Sequence, residues 1–153
     1  MKKIRQNTAL FLVVLLLAQL VPCAVMGEDL VPAGMILEYI VYILESMQKD
    51  IGGFTMDKTP FEGEDNTVLV DYETCTIRIL CRHEERTAYS TITADNGENC
   101  AFMVSMLCSL NVGKESGGIP HEPFAIHVMR EGVAVPLTEE EMLTEAQLFE
   151  NID

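Results

Sequence analysis

The sequence predicts an α+β fold: an amphipathic N-terminal helix, an antiparallel β-meander, a second helix, a β-hairpin and a short C-terminal helix. Three observations carry this. Apolar residues recur at spacings of three and four from Ile36 to Ile51, the mark of a helix with one buried face. From Thr67 to Ala94 the period drops to two, and the turns between runs are too short for crossover connections. A second strand pair then precedes Thr138-Glu139-Glu140-Glu141, a helix-capping signature.

Residues 1–27 stand apart from the fold. Lys2, Lys3 and Arg5 precede the apolar run Ala9 to Ala18, which gives the basic and hydrophobic regions of an export signal. Pro22 breaks the run, and Gly27, with Val25 two before it, offers a cleavage point ahead of Glu28. The expected product is a secreted or extracytoplasmic domain spanning residues 28–153. The alternative is an uncleaved anchor over residues 8–26, the one arrangement in which a membrane enters. Pro22 beside Cys23 does not fit a lipidation signal.

A mature chain of 126 residues suits one domain with a real core. All 24 acidic residues follow Gly27, against seven of the ten basic ones, so its net charge is −17. Such a surface repels nucleic acid and anionic lipid, which excludes nucleic-acid partners and makes polyanionic substrates poor candidates.

Residues 28–34 read as a polar leader containing Pro32. In the first helix Ile36, Leu37, Ile40, Val41, Leu44, Met47 and Ile51 form the apolar face, Glu38, Tyr42, Glu45 and Lys49 the other, and Gly52-Gly53 the stop. Glutamates on the polar face favour packing on a sheet over lying on a membrane. Phe54 to Met56 reads as a short strand, and residues 59–66 as an acidic loop. Asp57, Glu62, Glu64 and Asp65 lack the ligand spacing of an EF-hand.

Val68, Val70 and Tyr72 alternate with Leu69, Asp71 and Glu73 in one strand, and Cys75, Ile77, Ile79 and Cys81 give the next an apolar face carrying two thiols. Glu84-Glu85-Arg86 turns the chain, and Thr87 to Ala94 returns. The stretch Cys100 to Leu110 fits either a strand, through alternation after Asn96-Gly97, or a helix capped by Asp95, Asn96 or Asn99 with a thin polar stripe at Ser105 and Ser109. Its Ala, Met and Leu content, with few β-branched residues, favours the helix. Residues 113–123 form a Gly/Pro loop, Phe124 to Met129 and Val133 to Leu137 the hairpin, and the last helix is expected to bury Met142, Leu143, Ala146 and Phe149.

Four cysteines remain after export, an even number, so Cys75, Cys81, Cys100 and Cys108 are disulfide candidates. Along a strand, Cys75 and Cys81 would stand about 20 Å apart. Along a helix, Cys100 and Cys108 would stand about 12 Å apart. Both bonds must then cross between elements, pairing Cys75 with Cys108 and Cys81 with Cys100, or the reverse assignment.

Catalytic signals are sparse. The chain has no Gly-x-Ser-x-Gly elbow, no His-Glu-x-x-His and no phosphate-binding glycine loop, so no catalytic, metal or cofactor residue is assigned. The expectation is therefore a non-enzymatic binding or accessory module that meets a protein or peptide partner through the edge strand Phe124 to Met129 or the Gly117-Gly118 loop. The alternative is a small hydrolase or metal-dependent enzyme using His83, His121 and His127. It requires the three histidines to converge with a carboxylate or thiol in one pocket.

Overall fold

Period-two alternation builds the sheet and period-3.6 patterning the helices that cover it, as a computed structural model describing residues 30–112 and 120–150 shows. The α+β class is as predicted. The elements run α1 (Ala33–Ser46), α2 (Gln48–Ile51), β1 (Phe54–Asp57), β2 (Thr67–Asp71), β3 (Thr76–His83), β4 (Arg86–Ala94), α3 (Gly97–Val112), β5 (Ala125–Arg130), β6 (Val133–Pro136) and α4 (Glu139–Glu150). The signal segment and the Gly117-Gly118 loop lie outside the described residues.

The strands form one six-stranded sheet in the order β1-β4-β3-β2-β5-β6. Neighbours are antiparallel except β2 and β5, which run parallel. A parallel neighbour requires a crossover, and α3 supplies it between β4 and β5. The strand at 124–129 is therefore interior, between β2 and β6, and corrects the expectation that it is a free edge.

One sheet face forms the core. Val68, Val70, Ile77, Ile79, Ile92, Ile126 and Val128 point from the strands into a cluster completed by α1, α3 and Phe149 of α4. The helix α3 is its centre: eleven of its sixteen residues are buried. Burial on nearly every side explains why no clean helical stripe marks it in the sequence. Asn96 caps it, its Oδ1 accepting from the Asn99 N–H at 2.8 Å. The polar stripe expected at Ser105 and Ser109 faces protein and not water. Both serines are buried, and Ser105 donates to Glu145 Oε2 on α4 at 2.8 Å.

Helix α1 is amphipathic as read, but it breaks at Met47 and resumes as the single turn α2, closed by Gly52 and Gly53 at φ 68° and 85°. Its first turn sits directly on β3. A side chain at Gly34 would overlap the Arg82 carbonyl oxygen, so only glycine permits this approach.

Two further local readings need correction. Cys75 is not in the strand: β3 starts at Thr76, and Cys75 closes the preceding turn at φ 56°. Leu143 is 38 % exposed, because Ala146 and Phe149 supply the fully buried positions of α4. The capping box at its start does form, Glu141 N–H donating to Thr138 Oγ1 and Thr138 N–H to Glu141 Oε1, each at 3.1 Å.

Candidate functional site

Strand β4 is nine residues long and β1 only four, and this mismatch leaves part of one sheet edge open among the described residues. β1 pairs with Thr91 to Ala94 and stops at Asp57. The cause is local: Asp57 Oδ1 accepts from the Thr59 N–H at 3.0 Å and the Thr59 hydroxyl at 2.8 Å, and Pro60 follows. This closed Asx turn takes the chain out of the ladder with β4. The hydroxyl bond, then the backbone one, holds the Asp57 carboxyl below the usual carboxylate range. Phe61 instead crosses to the outer sheet face, edge-on to Tyr89 at 5.3 Å and beneath the Arg78 guanidinium.

Residues 86–90 of β4 are thus paired with β3 on one side and, among the described residues, with no strand on the other. Antiparallel pairs alternate between exchanging backbone hydrogen bonds and not doing so. With a two-residue turn closed by His83 and Arg86, the bonded residues are Arg86, Ala88 and Ser90. Thr87 and Tyr89 therefore direct their N–H and C=O groups outward, in phase with Thr91 and Thr93, whose outward groups meet β1.

Helix α1 roofs this open half-edge. Between them lies a groove of about 340 Å³, lined on the helix by Glu38, Val41, Tyr42 and Glu45 and on the strand by residues 87–90. Val41 is buried, whereas Tyr42 is 58 % exposed. Ala88 points to the inner face yet is exposed, because the helix stops short of the strand. Ion pairs stand at both ends. Lys58 Nζ lies 2.8 Å from Glu45 Oε1, and Arg86 Nη2 lies 3.4 Å from Glu38. Glu84 and Glu85 add two exposed carboxylates at the hairpin tip.

The histidines do not come together. His83 sits at the groove mouth, its Nδ1 3.8 Å from Glu38 Oε2 and 3.3 Å from Arg86 Nη2. His127 lies on the opposite sheet face, beside Phe61, Arg78 and Leu80. His121 is structural: Nε2 lies 2.7 Å from the Leu110 carbonyl oxygen and Nδ1 2.8 Å from the Glu122 carbonyl oxygen, so the ring links the segment before β5 to the end of α3. Three separate environments leave the histidine-based enzyme reading without a shared pocket. Among the described residues, no cluster of three histidine, cysteine or acidic side chains could hold a metal.

All four disulfide candidates are free thiols in this structure. Cys81, Cys100 and Cys108 are buried and Cys75 is half-buried. Burial first, and nearby acids second, push Cys81 and Cys108 up to about 12. Cys100 rises to about 11, from burial and then from its neighbour Cys75. Protonated buried thiols are poor nucleophiles, so these three behave as core residues. Of the candidate pairs, Cys75 and Cys100 are near one another, whereas Cys81 lies near Glu38 and Cys108 near Glu145.

The sequence did carry a signal for the groove. Asp57-Lys58-Thr59-Pro60 announces an early stop to β1, and Arg86 to Ala94 is a strand more than twice as long. Which strand lay beside β4, however, depended on tertiary pairing. No family model, curated protein or solved structure matches this chain.

Proposed function

We propose that this chain is an exported, non-enzymatic binding or accessory module that contacts a protein or peptide partner, and that the contact is made in the groove between α1 and the open half of β4. One observation carries the reading: among the described residues, five consecutive residues of β4 have no strand neighbour on one side, beneath a helix that leaves an apolar, accessible floor. Open strand edges invite added chain, and proteins normally cover or blunt them. The basic start and apolar run of residues 2–18 support export.

The test compares edges. Ala88→Trp fills the groove, and Val133→Arg alters the other sheet edge. The mature protein carrying a photo-reactive group at Tyr42 should crosslink to a defined partner, and that crosslink should vanish with Ala88→Trp and survive Val133→Arg. Equal capture by all three forms would remove the groove from the contact. Export is checked by the mass of the secreted product, which should begin near Glu28.

A further inference from the structure

We propose that the occupant of this groove is an extended basic segment of a partner protein, which adds to β4 as a further strand and directs its cationic side chains inward under α1. The inference rests on the preceding reading of the groove as the contact site. It goes further by specifying the backbone mode and the side-chain chemistry.

Strand addition follows from which atoms are free. Thr87 and Tyr89 each present one donor and one acceptor outward, enough for two pairs of ladder hydrogen bonds with an incoming chain. The open edge of five residues is roughly 17 Å long, which suits a short segment. A longer insertion is blocked at one end, where β1 already occupies Thr91.

The chemistry follows from what faces each side of that segment. Directly opposed residues in a sheet share a face. Incoming residues opposite Thr87 and Tyr89 therefore bond through their backbones and point to the outer face, near Phe61. The residue opposite Ala88 points inward, towards Val41, Tyr42, Glu38 and Glu45. A lysine or arginine there lays its aliphatic stem on Val41 and the Tyr42 ring and brings its charge between the two carboxylates, within reach of one or the other. Those carboxylates are held now by Lys58 and Arg86, both well exposed, and exposed pairs exchange at little cost. The charge of the whole chain, −14 with its N-terminal residues and more negative without them, adds long-range attraction for a cation and disfavours a second copy of the same acidic chain as the occupant.

A short synthetic peptide alternating valine and lysine is the probe, titrated against the mature protein by fluorescence anisotropy at low salt. In the proposed register the valine amides face β4 and the lysine amides face away. Backbone N-methylation of the valines should weaken binding by about tenfold or more, the size of one or two deleted hydrogen bonds, while methylation of the lysines leaves it nearly unchanged. On the protein, Thr87→Pro removes an outward N–H without touching the pairing to β3 and should weaken binding similarly. The methylated peptides leave the protein intact, so they decide the matter if that variant folds poorly. Equal loss in both methylation frames overturns strand addition. If Ala88→Trp still abolishes that binding, the groove stands as the contact. A valine–glutamate peptide binding as tightly overturns the basic chemistry. A dimer by sedimentation that dissociates in Thr87→Pro would make the occupant a second copy and overturn the proposal.

Discussion

The two edges of the sheet end in different ways. At one, β6 is four residues long, closes with Pro136, and is exposed at Val133, Ala134 and Pro136. A short strand with a proline makes a poor template for further pairing, so that edge is blunted. At the other, β1 protects only Thr91 to Ala94, and the rest of β4 keeps its outward donors with no proline among residues 86–90. The same fold thus protects one edge through strand length and composition and leaves half of the other accessible beneath a helix. Edge exposure here is a local product of the Asp57-Thr59 turn and not a general property of the sheet.

The largest expected effect comes from the support both edges share. Leu107 is fully buried at the centre of α3. Leu107→Ala should destabilise the domain by about 2–5 kcal/mol, the cost of lost burial plus a cavity. Urea unfolding measures it. A loss well under this range would mean that α3 does not hold the core together.

A more selective break separates the edges. Gly34 lets α1 approach β3, and Gly34→Ala forces the helix off the Arg82 carbonyl. The expected cost is about 1–3 kcal/mol, the usual range for overpacking. The disturbance should centre on the groove and spare β5 and β6. Amide exchange in the unaltered protein sharpens the same contrast: Thr87 and Tyr89 should exchange freely, whereas Ala88 and Ser90, bonded to β3, should be protected. Protection at all four would show that something else covers the edge.

Much of this architecture was legible from residue patterning. The switch from helical to strand period, the capping box at Thr138 and the helical composition of residues 100–110 each report local chemistry, and the structure agrees with them. What patterning could not supply was partnership. The alternation through Cys75 is satisfied equally by a strand and by a turn residue, and Cys75 adopts the turn at φ 56°. Residues 124–129 read as a hairpin arm, but their parallel pairing with β2 depends on where α3 carries the chain. The groove lay hidden for the same reason, since it arises from a neighbour that ends early.

Alkaline pH should act on the core rather than on either edge. Cys81, Cys100 and Cys108 have thiols raised from 9.0 to about 12, 11 and 12, chiefly by burial. In the folded state they hold protons that the unfolded chain releases, so the unfolded state binds fewer protons above pH 9 and stability falls as pH rises. Their contribution is fully present below about pH 9 and is lost as pH climbs through the folded values. For the reduced protein, the urea midpoint should be level up to about pH 8 and lower at about pH 10.5, with a smaller drop in Cys81→Ala. A midpoint unchanged across that window would show that the thiols ionise in the folded state as freely as in the unfolded one.

The smallest effect distinguishes the two edges most directly, because an exposed lysine or arginine pairs with a glutamate at each. Glu45–Lys58 stands beside the open half of β4, and Arg130–Glu141 beside β6. Lys58 is 65 % exposed, so Lys58→Ala should cost no more than about 0.2–1 kcal/mol of stability. Its effect on binding should have the opposite sign. Removing the lysine frees Glu45 for an incoming cation and removes a like charge from the groove, so the valine–lysine peptide should bind about two- to fivefold more tightly. Arg130→Ala should leave that affinity unchanged, since its partner Glu141 lies at the blunted edge. If the two substitutions alter peptide affinity alike, the attraction comes from the net charge of the whole chain, and the groove carboxylates have no special part in recognising the cation.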